Sequence, residues 1–377
     1  MRPLKKYIAF FLAMFLFVLL ISGACAEGSV YRLETQDGQF ITSIHGECEP
    51  GDEYISGSNQ HYRVKSVDKE DASAILEHVG SAAMPDVSWL DLEQTTPVSA
   101  MGQKKLALYC THSDESYIEG DGTQSVEGKG GIYDIADALG NALEARGASI
   151  EISHETHLPH DAGAYRRSRQ TAVTLLKGRP DGIFDIHRDG IPDPEEYAVS
   201  IGNEKMSKIR LLVGKSNQNK EANLSFAKQI KAVGDKIYPG LIKDIYMGKG
   251  TYNQDLAPRS VLLEFGTHTL EKERVLRSVK PISEVIFKAM YGGVTGSAGS
   301  SDVSPNQGAS SDEPETKPAA ENNKGAGWAI WLVIGLIAAL ALFAFLSSGG
   351  RGGGTKFSRS ISEMTGGLLG KKPPRED

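Results

Sequence analysis

The run from Trp328 to Leu346 carries no charged residue and is long enough to cross a bilayer. A backbone in lipid has no water to bond, so such a run can only be a helix. Whatever else the chain folds must be built from the residues before it. Beyond it, at 347–377, come Arg351, Lys356, Arg359, Lys371, Lys372 and Arg375 against Glu363, Glu376 and Asp377. This basic excess places the tail in the cytoplasm and the bulk of the chain outside it. At the other end, residues 1–26 run from Arg2, Lys5 and Lys6 through an apolar stretch to Ala24-Cys25-Ala26, the layout of a secretory signal. Residues 294–327 are rich in Gly, Ser, Pro, Asn and acidic side chains and read as a flexible stalk. The expectation is a single-pass protein of the cell membrane with its folded part extracytoplasmic.

That folded part has material for a core, since hydrophobic residues are 40% of the 377. With 41 Lys+Arg against 48 Asp+Glu the net charge is -7, so no nucleic-acid partner is expected. The three cysteines form no CxxC pair, which excludes zinc ribbons and disulfide scaffolds. Residues 27–80 show short β-prone runs, Val30–Leu33 and Phe40–Thr42, around the turn dipeptide Asp37-Gly38, and predict a small β-rich module. Residues 81–103 lack periodicity and predict a linker. From 104 to 293 apolar runs alternate with amphipathic stretches. Strands are predicted at Leu106–Tyr109, Ala148–Ile152, Ile183–Ile186, Ile209–Val213 and Val261–Leu263. Helices are predicted from Ile132 to a Gly147 cap, at Arg166–Leu176, at Ala222–Ile237 and at Lys272–Met290. The fold class this implies is α/β, a mostly parallel sheet with helices on both faces.

In open α/β sheets ligands bind beyond the carboxyl ends of the strands. His112, His187 and Glu264 are predicted at such ends. Two imidazoles and one carboxylate can hold Zn²⁺ with a position left for water, and a further carboxylate can move the proton. Glu264 is the candidate for that proton transfer, and His112 and His187 for the metal. For the third ligand Glu127, just before the helix near Gly131, is preferred over Glu115, which is only three residues past His112. The plainer reading of Glu127 is a charge favouring a helix N-terminus. The run His154-Glu155-Thr156-His157-Leu158-Pro159-His160 is not HExxH, and Pro159 makes it a loop.

The segments Thr111-His112-Ser113-Asp114-Glu115-Ser116-Tyr117, Ala164-Tyr165-Arg166-Arg167-Ser168-Arg169, Asp185-Ile186-His187-Arg188-Asp189-Gly190, Tyr238-Pro239-Gly240-Leu241, Tyr252-Asn253-Gln254-Asp255-Leu256 and Leu262-Leu263-Glu264-Phe265-Gly266 resemble, in order and spacing, the stage II sporulation protein P family over residues 104–291. The resemblance implies an amidase-like fold and a zinc-dependent N-acetylmuramoyl-L-alanine amidase that cuts peptidoglycan during engulfment. It also implies a link to cleavage of peptide cross-links and to stage II sporulation proteins D and M as partners. Carried onto this chain, it makes His112 and His187 zinc ligands and Glu264 the catalytic carboxylate. Glu127 stands at the distance where the related amidases have a metal-binding Glu. The chain departs from the family at Cys110, where His is common, and in having a C-terminal membrane run. In this setting Arg166, Arg169 and Arg188 are candidates to grip peptidoglycan carboxylates, against the plainer reading of ion-paired arginines, and Asn253 to line the cleft.

The orientation is checked on intact cells with a membrane-impermeant thiol reagent. A cysteine at Ser310 is expected to label and one at Ser358 not to, and the opposite pattern would overturn the extracytoplasmic placement.

Overall fold

A computed structural model describes residues 29–91 and 104–292. The expected signal, stalk, membrane run and tail lie outside these residues, as does the linker from 92 onward. Among the described residues no helix is long and apolar enough to cross a membrane.

The strand–helix alternation read from residue 104 onward is present. After β6 (Lys105–Tyr109) comes α1 (Ile132–Glu144), whose Ile132, Ile135, Ala136, Leu139 and Leu143 are all buried. Gly147 caps that helix at φ +93°, a conformation that costs a side chain with a Cβ dearly. Then follow β7 (Ser149–Ile152), α2 (Ala164–Leu176), β8 (Gly182–Asp189), the hairpin β9 (Ala198–Ile201) and β10 (Glu204–Ser207), β11 (Ile209–Gly214), α3 (Lys220–Ile237), β12 (Ile242–Gly248), β13 (Ser260–Thr267) and α4 (Lys272–Tyr291). β8 and β13 run past the predicted ends, so His187 and Glu264 lie inside their strands rather than beyond them.

The expectation of a separate β-rich module is not met. Ahead of β6, the chain forms β1 (Val30–Thr35), β2 (Phe40–His45), β3 (Glu53–Ile55), β4 (Gln60–Asp68) and β5 (Ser73–Ser81), and these do not stand apart as a module. β3 pairs antiparallel with β12, giving one sheet of 11 strands in the order β2-β1-β5-β4-β3-β12-β11-β13-β8-β6-β7. The segment read as a linker is packed where it is described, with Val87, Trp89 and Leu90 against the main core. The sheet is mixed as a whole, but from residue 104 onward it is mostly parallel, as expected, with β11–β12, β13–β8, β6–β8 and β6–β7 all parallel. β13 runs antiparallel to β11, and β12–β3, β3–β4, β4–β5 and β1–β2 are antiparallel too.

Side chains alternate across a strand, so each strand serves two faces. On one face Leu106, Leu108, Phe184, Ile186, Leu263, Phe265, Leu211 and Ile245 join residues of α1, α3 and α4 in the main core. On the other, α2 covers Ala107, Tyr109 and Ile183. Further along this second face, Leu33, Ile44, Val64 and Leu76 of the N-terminal strands pack with Tyr246 of β12. Helical cover is thus present on both faces, with part of the second face covered by strands.

Between α2 and the N-terminal strands the second face is charged. The register sets His187 of β8 opposite Glu264 of β13, Glu264 opposite Arg210 of β11, and Arg210 opposite Asp244 of β12. Arg210 is buried and all three of its guanidinium nitrogens donate. It donates to Asp244 Oδ1 at 2.7 Å and Oδ2 at 3.0 Å, to Asp189 Oδ2 at 2.8 Å, and to Thr42 Oγ1 at 2.9 Å and the Ser43 carbonyl at 3.1 Å. Burial would raise the Asp244 carboxyl, but Arg210 and then Lys243 outweigh it and hold it at about 2.

Asp244→Asn leaves the buried guanidinium short of charge and is expected to cost about 3 kcal/mol or more in denaturant unfolding. Because the folded carboxyl is depressed, its contribution is complete above the ordinary carboxylate range and is lost as pH falls toward 2. The gap between parent and mutant therefore narrows in acid. A loss of under about 0.5 kcal/mol at neutral pH would show that this network does not hold the strands.

Candidate active site

His112 follows β6 and turns sharply, with the Glu115 amide donating to the His112 carbonyl at 3.2 Å. This turn swings the Glu115 carboxylate back beside the imidazole. Glu115 Oε1 is 3.1 Å from His112 Nδ1 and 3.5 Å from His187 Nδ1, while Oε2 accepts the Arg188 backbone N–H at 3.0 Å. One ligand atom from each of His112, Glu115 and His187 lies within 4.8 Å of the others, the spacing of a metal cluster. Glu115 and His187 are shut in, with side chains 4% and 2% exposed, whereas His112 at 19% opens the site to solvent.

The surroundings fit a cation. His187 Nε2 sits 2.9 Å from Asp185 Oδ1, though off the hydrogen-bonding direction, and a carboxylate behind the ring is how a ligating imidazole is oriented. Asp185 is itself fixed by the Thr111 amide at 2.8 Å and hydroxyl at 2.6 Å. Burial keeps the His112 imidazole below its ordinary pKa against the opposing pull of Glu115. Burial would raise the Glu115 carboxyl, but His187, His112 and Arg188 carry it well below the usual range. His187 is driven the other way, well up, because Asp185 and Glu115 outweigh its burial, and a bound cation would take the place of that proton.

Glu264 adjoins this cluster through the β13–β8 register. Its Oε2 is buried and has no hydrogen-bond partner. Burial and then Asp189 push its carboxyl well above the ordinary range, only partly offset by His187. A carboxyl so placed is biased toward its protonated form and has an oxygen free to exchange a proton. Aromatic rings frame the opening. Tyr165 lies edge-on to His112 at 5.4 Å and parallel to His187 at 6.3 Å, and Tyr252 meets Tyr165 at 5.3 Å. His160 stacks on His112 at 4.0 Å and pairs with Asp114 at 3.0 Å.

His112, His187 and Glu264 are thus brought together as the sequence reading expected, and Glu127 is not. Glu127 is exposed in the turn ahead of α1 and outside the cluster, and Glu115 stands in the place proposed for it. The reason is the tight turn at 112–115, which needs no long loop to fold a carboxylate back. The expected substrate-gripping residues differ among themselves. Arg166 is exposed. Arg169 spends its fork on Asp255, at 2.8 and 2.7 Å. Arg188 is turned onto the carbonyls of Ser116 and Gln124, where it braces the Glu115 loop. Asn253 is buried at φ +55° and donates to the Tyr165 carbonyl and Ser168 hydroxyl, both at 3.0 Å, so it pins the start of α2. His157, from the histidine-rich run, is also structural, lying between the Cys110 carbonyl and Thr171. Asp185 was missed although its signal was present, since it lies two residues before His187 in a strand and so on the same face.

Among known proteins, the family described as stage II sporulation protein P matches residues 44–287. Stage II sporulation protein P of Bacillus subtilis is 26% identical over 262 residues, which are 63% of this chain and 65% of that one. The match therefore spans just under two thirds of that relative's length. Among solved structures, the N-acetylmuramoyl-L-alanine amidase AmiC2 of Nostoc punctiforme is 11% identical, with a TM-score of 0.33 over 50% of this chain and 96% of that one. The catalytic domain of CwlV, an N-acetylmuramoyl-L-alanine amidase of Bacillus (Paenibacillus) polymyxa, is 14% identical, with a TM-score of 0.33 over 50% and 96%.

The choice of carboxylate is open to direct test. After zinc loading and dialysis, the parent and Glu127→Gln are expected to keep one zinc ion per chain by mass spectrometry, and Glu115→Gln to bind at least about tenfold more weakly. Full retention by Glu115→Gln with loss in Glu127→Gln would reverse the assignment.

Proposed function

The chain belongs to the stage II sporulation protein P family, and from that premise we propose that it is a membrane-tethered peptidoglycan hydrolase of sporulation engulfment. Its reaction in this reading is that of a zinc-dependent N-acetylmuramoyl-L-alanine amidase. The observation that carries the proposal is the pairing of His112, Glu115 and His187 with Glu264, whose carboxyl oxygen Oε2 is buried without a partner. A wall-binding module that cuts nothing has no need of so costly a buried group.

His112, Glu115 and His187 would hold the zinc, with Asp185 setting the His187 ring. Zinc bound there supplies a Lewis acid for the amide carbonyl and lowers the pKa of water toward about 7. Glu264 manages the proton. Its Oε2 takes a proton from the attacking water and passes it on to the departing amine nitrogen as the amide bond breaks. Tyr165 and Tyr252 wall the opening and limit access of bulk water. Cross-link cleavage and partnership with stage II sporulation proteins D and M belong to this reading on the family resemblance alone. The membrane anchor rests on residues 328–346 and the basic tail after them.

The reading is tested by digesting purified cell wall with the full chain. New L-alanine amino termini are expected, and a chelator should abolish them. Glu264→Gln should keep its zinc and melting temperature while losing about 10²–10⁴-fold in rate. Wild-type release by the zinc-loaded mutant would remove Glu264 from the chemistry, and no release by the parent would remove the hydrolase reading itself.

A further inference from the structure

β2 ends at His45, and its path there is fixed. Thr42, three residues earlier, is held by Arg210 at 2.9 Å and by Lys243 at 2.6 Å, and the Ser43 amide donates to Glu196 at 3.0 Å. The strand so anchored carries the His45 ring onto Gly190, one residue past the end of β8. A Cβ on Gly190 would lie 2.4–2.6 Å from three atoms of the ring, so the imidazole occupies the space that any other residue would fill. The ring is half-buried, yet neither nitrogen makes a hydrogen bond among the described residues. The charged groups that act on it are those of the active site. They are Asp189, Arg188, Glu115 and His160, drawn from β8, the Glu115 loop and the loop before α2. Burial is the largest influence and holds the imidazole below its ordinary pKa, in its neutral form.

A neutral imidazole offers one N–H donor and one ring-nitrogen acceptor, the complement of a peptide unit. No group among the described residues takes up these ring nitrogens, and the ring lies against Gly190, directly after Asp189 in the strand that carries His187. We propose that His45 is a substrate-binding residue of this site, its ring nitrogens taking up backbone amide groups of a stem peptide lying along Gly190 toward Glu115. The N-terminal strands would then complete the site as well as cover the sheet. This inference rests on the peptidoglycan reading above for the nature of the ligand.

The test uses the full chain and a soluble disaccharide–tripeptide fragment of peptidoglycan. Binding is measured in the Glu264→Gln background, which separates it from turnover, and initial rates are measured with Glu264 intact. His45→Ala and His45→Phe are each expected to weaken binding and to raise KM by about tenfold, with kcat within about threefold of the parent. His45→Gln, which keeps a donor and an acceptor, should recover most of that loss. Zinc content and melting temperature should stay at parent values in all three. Parent-like binding by His45→Phe would show that the ring only fills space, and parent-like binding by all three would remove His45 from the site. Absence of turnover in the parent would overturn the hydrolase reading, while the binding measurements would still decide the role of His45.

Discussion

The register of four adjacent strands governs this molecule. It aligns His187, Glu264, Arg210 and Asp244 in a row on one face of the sheet, while the residues between them, Ile186, Leu263, Leu211 and Ile245, enter the main core on the other. A slip of one residue in any of these strands would exchange the two sets and bury charges among aliphatic side chains. The apolar core therefore fixes where the charges go. The charges then impose a requirement on everything that packs above them.

That requirement accounts for the N-terminal strands. A buried guanidinium is tolerable only when it is paired and hydrogen-bonded. Thr42 and Ser43 of β2 supply two of the acceptors of Arg210, alongside Asp244 and Asp189. Strands β1–β5 thus have a polar reason to lie where they do, in addition to the apolar contacts around Leu33, Val64 and Tyr246. Between this cover and α2 the row ends at Glu264 and His187, beside the partly exposed His112. Asp189 links the two regions, since it pairs with Arg210 and also raises the Glu264 carboxyl. The structural ion-pair network and the proposed proton-transfer group share one carboxylate.

Much of this was legible in the sequence. The helices and the strands β6, β7, β8, β11 and β13 follow from apolar periodicity, and His112, His187 and Glu264 stood out as polar residues abutting apolar runs. What stayed hidden has identifiable causes. β12 carries Lys243 and Asp244 near its start, so its alternation reads as polar until Arg210 is known to lie beside it. The β1–β5 strands read as a separate module because edge pairing between β3 and β12 leaves no mark in either segment. Glu115 was visible but stood only three residues past His112, and spacing alone does not reveal the tight turn that faces the two side chains at one point. His45 gave no local signal at all. Its significance comes from Gly190, 145 residues away, which only the folded chain brings against it.

The central claim is that His112, Glu115 and His187 form a zinc centre. X-ray absorption at the zinc edge of the loaded full chain addresses it most directly. The account predicts a first shell of nitrogen and oxygen alone at about 2.0–2.2 Å, with outer-shell scattering from two imidazoles that falls to one in His187→Ala. A sulfur shell near about 2.3 Å, or an imidazole count indifferent to His187, would contradict it.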